Sequence, residues 1–286
     1  MMKHKLIITA DDYGMCESVN RAIDECIDAR VVLSTNVMTN MDVANEASDL
    51  KKKFPYVSVG LHYNFTVGRP ISNIDNVRSL VDNDGVFLTF SKIREKCKMK
   101  TYIFNEVVCE MKAQYQRYVE ICGEPDYWNT HENVHVYPKL YQLFRDVSLE
   151  CNIRKMRSHQ RIFIPSSTGI NDKSLVWTLT NPIKMCMLNS WQSNSKKLGV
   201  HAPDGLLVRM NEDDKLNLEY LFNHINWKKS DIAEIAIHPS TDGNNQYFGE
   251  ITEMRVKEYK CFSSREVLKI AEKANVEIVS FSSIGN

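Results

Sequence analysis

The stretch Leu6-Ile7-Ile8-Thr9-Ala10-Asp11-Asp12-Tyr13-Gly14 decides how this chain reads: a short apolar run that ends on two adjacent carboxylates and a glycine. A buried strand that delivers acids to a loop is a platform for a metal ion or a general base. Three further apolar runs end on polar groups in the same way. His62 follows Val57-Ser58-Val59-Gly60-Leu61, His131 comes shortly after Tyr127-Trp128, and His238-Pro239 follows Ile235-Ala236-Ile237. Four apparent strand ends thus carry groups able to bind a cation or move a proton.

Working outward, apolar runs alternate with helix-period segments, the pattern of a parallel sheet covered by helices. Val19, Ile23, Cys26 and Ile27 repeat at helical spacing after the first run. A β-branched run from Val31 to Val37, a polar helix around Asp42 to Lys53 and a strand from Tyr56 to His62 follow. Glu106 to Ile121 and Pro138 to Glu150 read as helices, the second with proline in its first turn. Leu216 to Ile225 and Ser264 to Ala274 read as helices, and Ile232 to Ile237 and Val276 to Phe281 as strands. About six to eight strand candidates are compatible with a barrel. Two long stretches, 64–100 and 158–200, break the rhythm and read as excursions that form lids, binding loops or oligomer contacts.

The chain has 286 residues, enough to bury a sizeable core, with 36 basic and 36 acidic side chains and a formal net charge of zero. No overall field favours nucleic acid or an anionic membrane. The eight cysteines are scattered without a Cys-x-x-Cys pair and read as reduced thiols of a cytoplasmic protein. The apolar stretch near the N-terminus falls short of a signal-peptide core of about 7–15 residues, and no stretch approaches the roughly 20 apolar residues of a membrane span. The sequon Asn64-Phe65-Thr66 therefore reads as irrelevant to glycosylation.

Taken singly, each candidate residue has a bland reading: Asp11 or Asp12 as a helix cap, and His62, His131 or His238 as packed structural imidazoles. Their common position changes the weighing. A parallel barrel brings the ends of separate strands to one face, so Asp12, His62 and His131 would meet there. One carboxylate and two imidazoles can hold a divalent cation with positions left for water and substrate. His135 stands four residues after His131, but its surroundings look extended rather than helical, which points to the substrate pocket or to a place behind the ligands. His238 is a candidate general acid.

These segments resemble the YdjC-like carbohydrate deacetylases, the family that includes bacterial chitooligosaccharide deacetylase. The matching pieces are Ile8 to Gly14, Val59 to Asn64, Gly68-Arg69-Pro70, Asn129 to His131, Val134 to Pro138 and Glu234 to Pro239, in order along nearly the whole chain. The resemblance implies an α/β fold, a distorted (β/α) TIM-like barrel, as a single domain over 1–286 with its site at the C-terminal ends of the strands. It implies that Asp12, His62 and His131 hold one divalent metal ion, Mg²⁺ or Zn²⁺. Asp11 would be the general base, His238 the general acid and Arg157 an arginine that orients Asp11. Glu234 would brace the histidine region, and Arg255 with Glu258 matches a late pattern of uncertain role. The implied reaction removes the acetyl group from an N-acetylated mono- or oligosaccharide, with short chitooligosaccharides as the leading substrates, giving acetate and a free amino sugar.

Tyr13, Tyr63 and Trp128, close to the motifs, are candidates to stack on sugar faces or to serve as core. Asn129, Asn133 and Ser240 stand where many relatives carry aspartate, histidine and glycine. These departures keep open an alternative, a catalytically impaired sugar-binding or regulatory protein on the same fold. A phosphosugar barrel enzyme ranks lower, because Gly243 is the one thin hint of a phosphate loop near the late strands. Analogy with relatives leaves a homodimer open.

Overall fold

The computed structural model describes residues 3–167, 181–207, 215–228 and 230–285. Eight strands form one sheet: β1 (His4–Tyr13), β2 (Ser34–Val37), β3 (Ser58–Tyr63), β4 (Trp128–Thr130), β5 (Arg161–Ile162), β6 (Gly205–Leu207), β7 (Ile232–Ile237) and β8 (Val276–Val279). The order is β4-β3-β2-β1-β7-β6-β5, with β8 beside the first half of β1, and every pairing is parallel. Single bridges from Trp128 to Met156 and from Lys155 to His201 carry hydrogen bonding from β4 toward the β6 side, so the sheet curls into a distorted barrel.

The helices described are α1 (Glu17–Asp28), α2 (Leu50–Lys53), α3 (Phe90–Met99), α4 (Phe104–Cys122), α5 (Pro138–Glu150), α6 (Pro182–Lys197), α7 (Leu218–His224), α8 (Thr252–Phe262) and α9 (Glu266–Lys273). Each longer one buries a single stripe, as α1 does with Val19, Ile23, Cys26 and Ile27. Pro138 occupies the first turn of α5, where its missing N–H costs nothing. The polar segment expected as one helix over 42–53 is a 3₁₀ stretch, Ala44–Asp49, followed by the single turn α2. The run expected as a strand from Val31 pairs only from Ser34. The excursion 64–100 holds short 3₁₀ turns and α3, while residues 168–180 of the second excursion lie outside the described residues. All eight cysteines are free thiols. Among the described residues no helix is long and apolar enough to cross a membrane.

What places the site is the two-residue period of the strands. On β1, Leu6, Ile8 and Ala10 pack outward with the helices, while Ile7 joins a smaller apolar cluster with Tyr127, Val279, Phe281 and Ile284. The same alternation holds elsewhere. Val59, Leu61 and Tyr63 on β3, and Ala233, Ile235 and Ile237 on β7, belong to the outer core. The opposite parity therefore points inward: Thr9 and Asp11, Asn36, His62, Asn129 and His131, Glu234 and His238. The inner apolar cluster plugs the barrel beneath them, with Tyr127 stacked on Phe281 at 3.7 Å between centroids.

A candidate metal and acid–base site at the strand ends

Strict alternation would send Asp12 outward, away from Asp11. The register between β1 and β2 runs Ala10 to Thr35 and then Tyr13 to Val37, so β1 holds one extra residue there. Asp12 sits in this bulge at φ +76°, a left-handed conformation that aspartate adopts more readily than most residues. The bulge turns a second consecutive carboxylate inward. Neither aspartate caps α1, whose N-cap is Cys16.

Asp12 is fully buried. Its Oδ1 lies 3.1 Å from His62 Nε2 and 2.9 Å from His131 Nδ1. Its Oδ2 accepts a 2.6 Å hydrogen bond from Arg255 Nη2. Candidate ligand atoms on Asp12, His62 and His131 lie within 4.8 Å of one another. One hard oxygen and two imidazole nitrogens converging on one point fit a divalent cation. Burial by itself would raise the Asp12 pKa, but His131 and Arg255 beside it hold it well below the usual carboxylate range. Burial likewise opposes the charged form of His131, and its pairing with Asp12 outweighs that and raises its pKa.

Asp11 forms a fork with Arg157, Nη1 to Oδ2 at 2.6 Å and Nη2 to Oδ1 at 2.7 Å, and Asn36 Nδ2 donates to Oδ1 at 2.6 Å. Burial would raise its pKa, yet the Arg157 charge and hydrogen bonds reverse the sign and keep Asp11 ionised. Arg157 also donates from Nε to Glu234 Oε1 at 2.9 Å, an oxygen that accepts from Thr9 Oγ1 as well. Glu234 thus braces Arg157 rather than a histidine. His238 Nε2 stands 3.7 Å from Asp11 Oδ2. Burial pushes the His238 pKa down to about 4 against the opposing pull of Asp12 and Asp11, so the ring is neutral at neutral pH. Its backbone N–H donates to Glu258, which also pairs with Lys215.

A cavity of about 710 Å³ opens over these groups, a size typical of small-ligand sites. Asp11, His62, His131, Arg157, His238 and Arg255 all border it. Tyr13, Tyr63 and Trp128 are buried in the core instead, and the aromatic side chains at the cavity are Tyr247 and Phe248. His135 does not line the cavity either. Its Nδ1 meets Thr130 Oγ1 at 2.5 Å and its ring packs on Trp128 and His159, so it supports the residue before His131 from behind. Glu132 and Asn133 take left-handed backbone angles after His131, which rules out an i, i+4 helical pair. Asn133 lines the cavity. Ser240 is buried and hydrogen-bonds Ser18 Oγ and the Asp242 carbonyl.

Two residues that hold this site have no role assigned to them by the sequence. Asn36 lies in a short strand, and Arg255 is one of several charged residues on α8. The family resemblance picks out Arg255 without a role, and the total burial of its guanidinium, a property of the fold, supplies one.

A curled parallel sheet with paired carboxylates and two histidines gathered at its strand ends defines a barrel of hydrolase type, with a site fitted to one cation. The chain belongs to the YdjC-like protein family, whose model matches residues 5–273. The carbohydrate deacetylase of Clostridium beijerinckii is 27% identical over 281 residues, covering 98% of this chain and 100% of that one. The chitooligosaccharide deacetylase of Proteus mirabilis is 32% identical over 143 residues, covering 50% of this chain and 54% of that one. Among solved structures, an Enterococcus faecalis V583 protein provisionally named for cellobiose-phosphate cleavage superposes with TM-score 0.76 at 22% identity over 98% of both chains. At that identity the likeness is one of fold.

Proposed function

We propose that this protein is a metal-dependent carbohydrate deacetylase that hydrolyses the acetamide of N-acetylated sugars, with short chitooligosaccharides as substrates. The observation that carries the reading is the position of Asp11. It lies one residue from the carboxylate shared by His62 and His131 and 3.7 Å from His238, at the floor of one cavity. The full-length similarity to a carbohydrate deacetylase supports the substrate class.

Asp12, His62 and His131 would hold the cation, Mg²⁺ or Zn²⁺, with Arg255 occupying the second carboxylate oxygen so that Asp12 binds through Oδ1. A divalent ion there lowers the pKa of water and polarises the acetyl carbonyl. Asp11, kept ionised and aimed by Arg157 and Asn36, takes the proton of the attacking water. His238 starts neutral and must gain a proton before it can give one; Asp11 Oδ2, 3.7 Å away, would supply it once the two close to hydrogen-bond distance or through one water. His238 then protonates the nitrogen as the carbon–nitrogen bond breaks, giving acetate and an amine. Tyr247 and Phe248 offer apolar faces for the sugar.

The test is acetate release from diacetylchitobiose by metal-stripped protein, with Mg²⁺ and Zn²⁺ restored separately. Release that needs both the ion and Asp11 supports the deacetylase. No release with either ion, from this or other acetylated sugars, would favour the binding-protein alternative.

A further inference from the structure

The loop 64–72 follows β3 and gives Thr66 and Val67 to one wall of the cavity. Helix α4 holds it at both ends. At its start, Gln114 Oε1 accepts from the Asn64 N–H at 2.9 Å, and Gln114 Nε2 donates to the Asn64 carbonyl at 2.6 Å. At its end, Glu110 Oε1 accepts from the Ile71 N–H at 3.0 Å and Oε2 from the Ser72 N–H at 2.9 Å. Gln114 Nε2 also donates to Glu110 Oε1 at 2.8 Å, so these two side chains, four residues apart on one helix face, form one clamp.

Both side chains are fully buried. Among the described residues no lysine, arginine or histidine pairs with Glu110, whose hydrogen bonds come from Ile71, Ser72 and Gln114. Burying a carboxylate without a cation costs free energy that its hydrogen bonds offset, and what this arrangement fixes is the path of one loop.

Between its ends the loop is folded onto the cavity by two amides. Asn64 Oδ1 accepts from the N–H groups of Thr66 and Val67 at 3.1 and 3.2 Å, and its Nδ2 donates to the Val67 carbonyl at 2.7 Å. Asn40 Nδ2 donates to the carbonyls of Val67 and Arg69 at 3.1 and 2.9 Å. Gly68, between those two, has φ +72°, and a Cβ there would stand 3.1 Å from Met41 Sδ and 3.2 Å from Asn40 Nδ2, which accounts for the glycine of Gly68-Arg69-Pro70. The Gly68 carbonyl accepts from the Phe87 N–H at 2.9 Å, two residues before Thr89, which also lines the cavity.

We infer that Glu110 is a positioning residue for substrate: by pinning the backbone of Ile71 and Ser72 it sets the wall of Thr66, Val67 and Thr89 against which the sugar binds. The inference rests on the reading of this cavity as the site of an N-acetylated sugar. When Glu110 is changed, Gln114 still holds Asn64, two residues past His62. The cation ligands therefore stay in place, and sugar binding rather than bond breaking carries the effect.

Glu110→Gln tests this, because it keeps the size of the side chain and turns an amide NH₂ toward backbone N–H groups. Acetate release from diacetylchitobiose should show KM raised about tenfold, with kcat and Zn²⁺ affinity, the latter from chelator competition, within about twofold of the wild type. Unchanged KM, or a loss of kcat or of Zn²⁺ affinity, would overturn the assignment. Should that variant fail to fold, Asn40→Ala, which frees the Val67 and Arg69 carbonyls, is expected to give the same split between KM and kcat. Amide hydrogen exchange keeps the two levels apart. Ile71 and Ser72 should exchange about tenfold faster in Glu110→Gln, with β1 unchanged. Faster exchange together with no acetate release from the wild type means that the deacetylase reading fails while the clamp stands. Acetate release by the wild type together with unchanged KM or unchanged exchange in the variant means that the positioning role alone fails.

Discussion

Arg255 Nη2 donates to Asp12 Oδ2 at 2.6 Å, and that contact leaves Oδ1 as the only oxygen of Asp12 facing His62 and His131. The guanidinium is itself buried, lies over the Phe248 ring at 4.6 Å, and finds no partner for Nε or Nη1 among the described residues. It holds α8 to β1 and fixes how the carboxylate can bind. Removing it leaves the buried Asp12 carboxylate with only the two imidazoles on Oδ1 and no partner on Oδ2 among the described residues. Arg255→Met should therefore cost about 3–5 kcal/mol of stability and weaken Zn²⁺ binding. Urea unfolding and metal titration check the two effects separately, and Arg255→Lys should recover part of each.

Asp11→Asn removes the proton acceptor while Glu234 still engages Arg157. Acetate release should fall about a hundred- to ten-thousand-fold, with metal affinity near that of the wild type. His62→Ala and His131→Ala should lose both. Retained turnover in Asp11→Asn would show that the base lies elsewhere.

His238→Ala should keep the metal and slow amide hydrolysis much more than hydrolysis of an activated acetate ester, whose leaving group departs without a proton. Comparing kcat on the two substrates checks this. Equal losses would assign His238 a binding role instead of an acid's.

Gly60 faces the barrel interior, where an added Cβ would stand 2.7 Å from the Tyr127 ring. That ring cannot withdraw, because it is stacked on Phe281 and its hydroxyl donates to the Thr35 carbonyl at 2.8 Å. Gly60→Ala should destabilise the protein by about 1–3 kcal/mol, read as a lower urea midpoint.

His159 is completely buried with no hydrogen bond to either ring nitrogen among the described residues, and burial lowers its pKa to about 3. The unfolded chain, with an ordinary histidine pKa near 6.5, binds the proton first as pH falls. The stability this group contributes is present above pH 6.5 and is lost progressively as pH drops toward 3. Between pH 7.5 and 5 the loss from His159 is about 2 kcal/mol. Urea unfolding in the presence of chelator, so that metal ligation does not enter, should show this loss reduced in His159→Leu.

The sequence by itself determined the strands and what they carry to their ends. Apolar runs that finish on Asp11-Asp12, His62, His131 and His238 are local patterns, and the two-residue period that sorts inward from outward is a property of each strand alone. It did not determine that Asp12 turns inward with Asp11, because the bulge exists only where β1 must pair with β2. Nor did it show that Tyr13, Tyr63 and Trp128 are core while Tyr247 and Phe248 reach the cavity. Asn36 became part of the site only in three dimensions, and the role of Arg255, left open by the sequence, came from its meeting Asp12 across 243 residues of chain. The reason is physical: buried charges are compensated by whichever groups the fold brings within hydrogen-bond reach, and no local pattern records a partner chosen by that proximity.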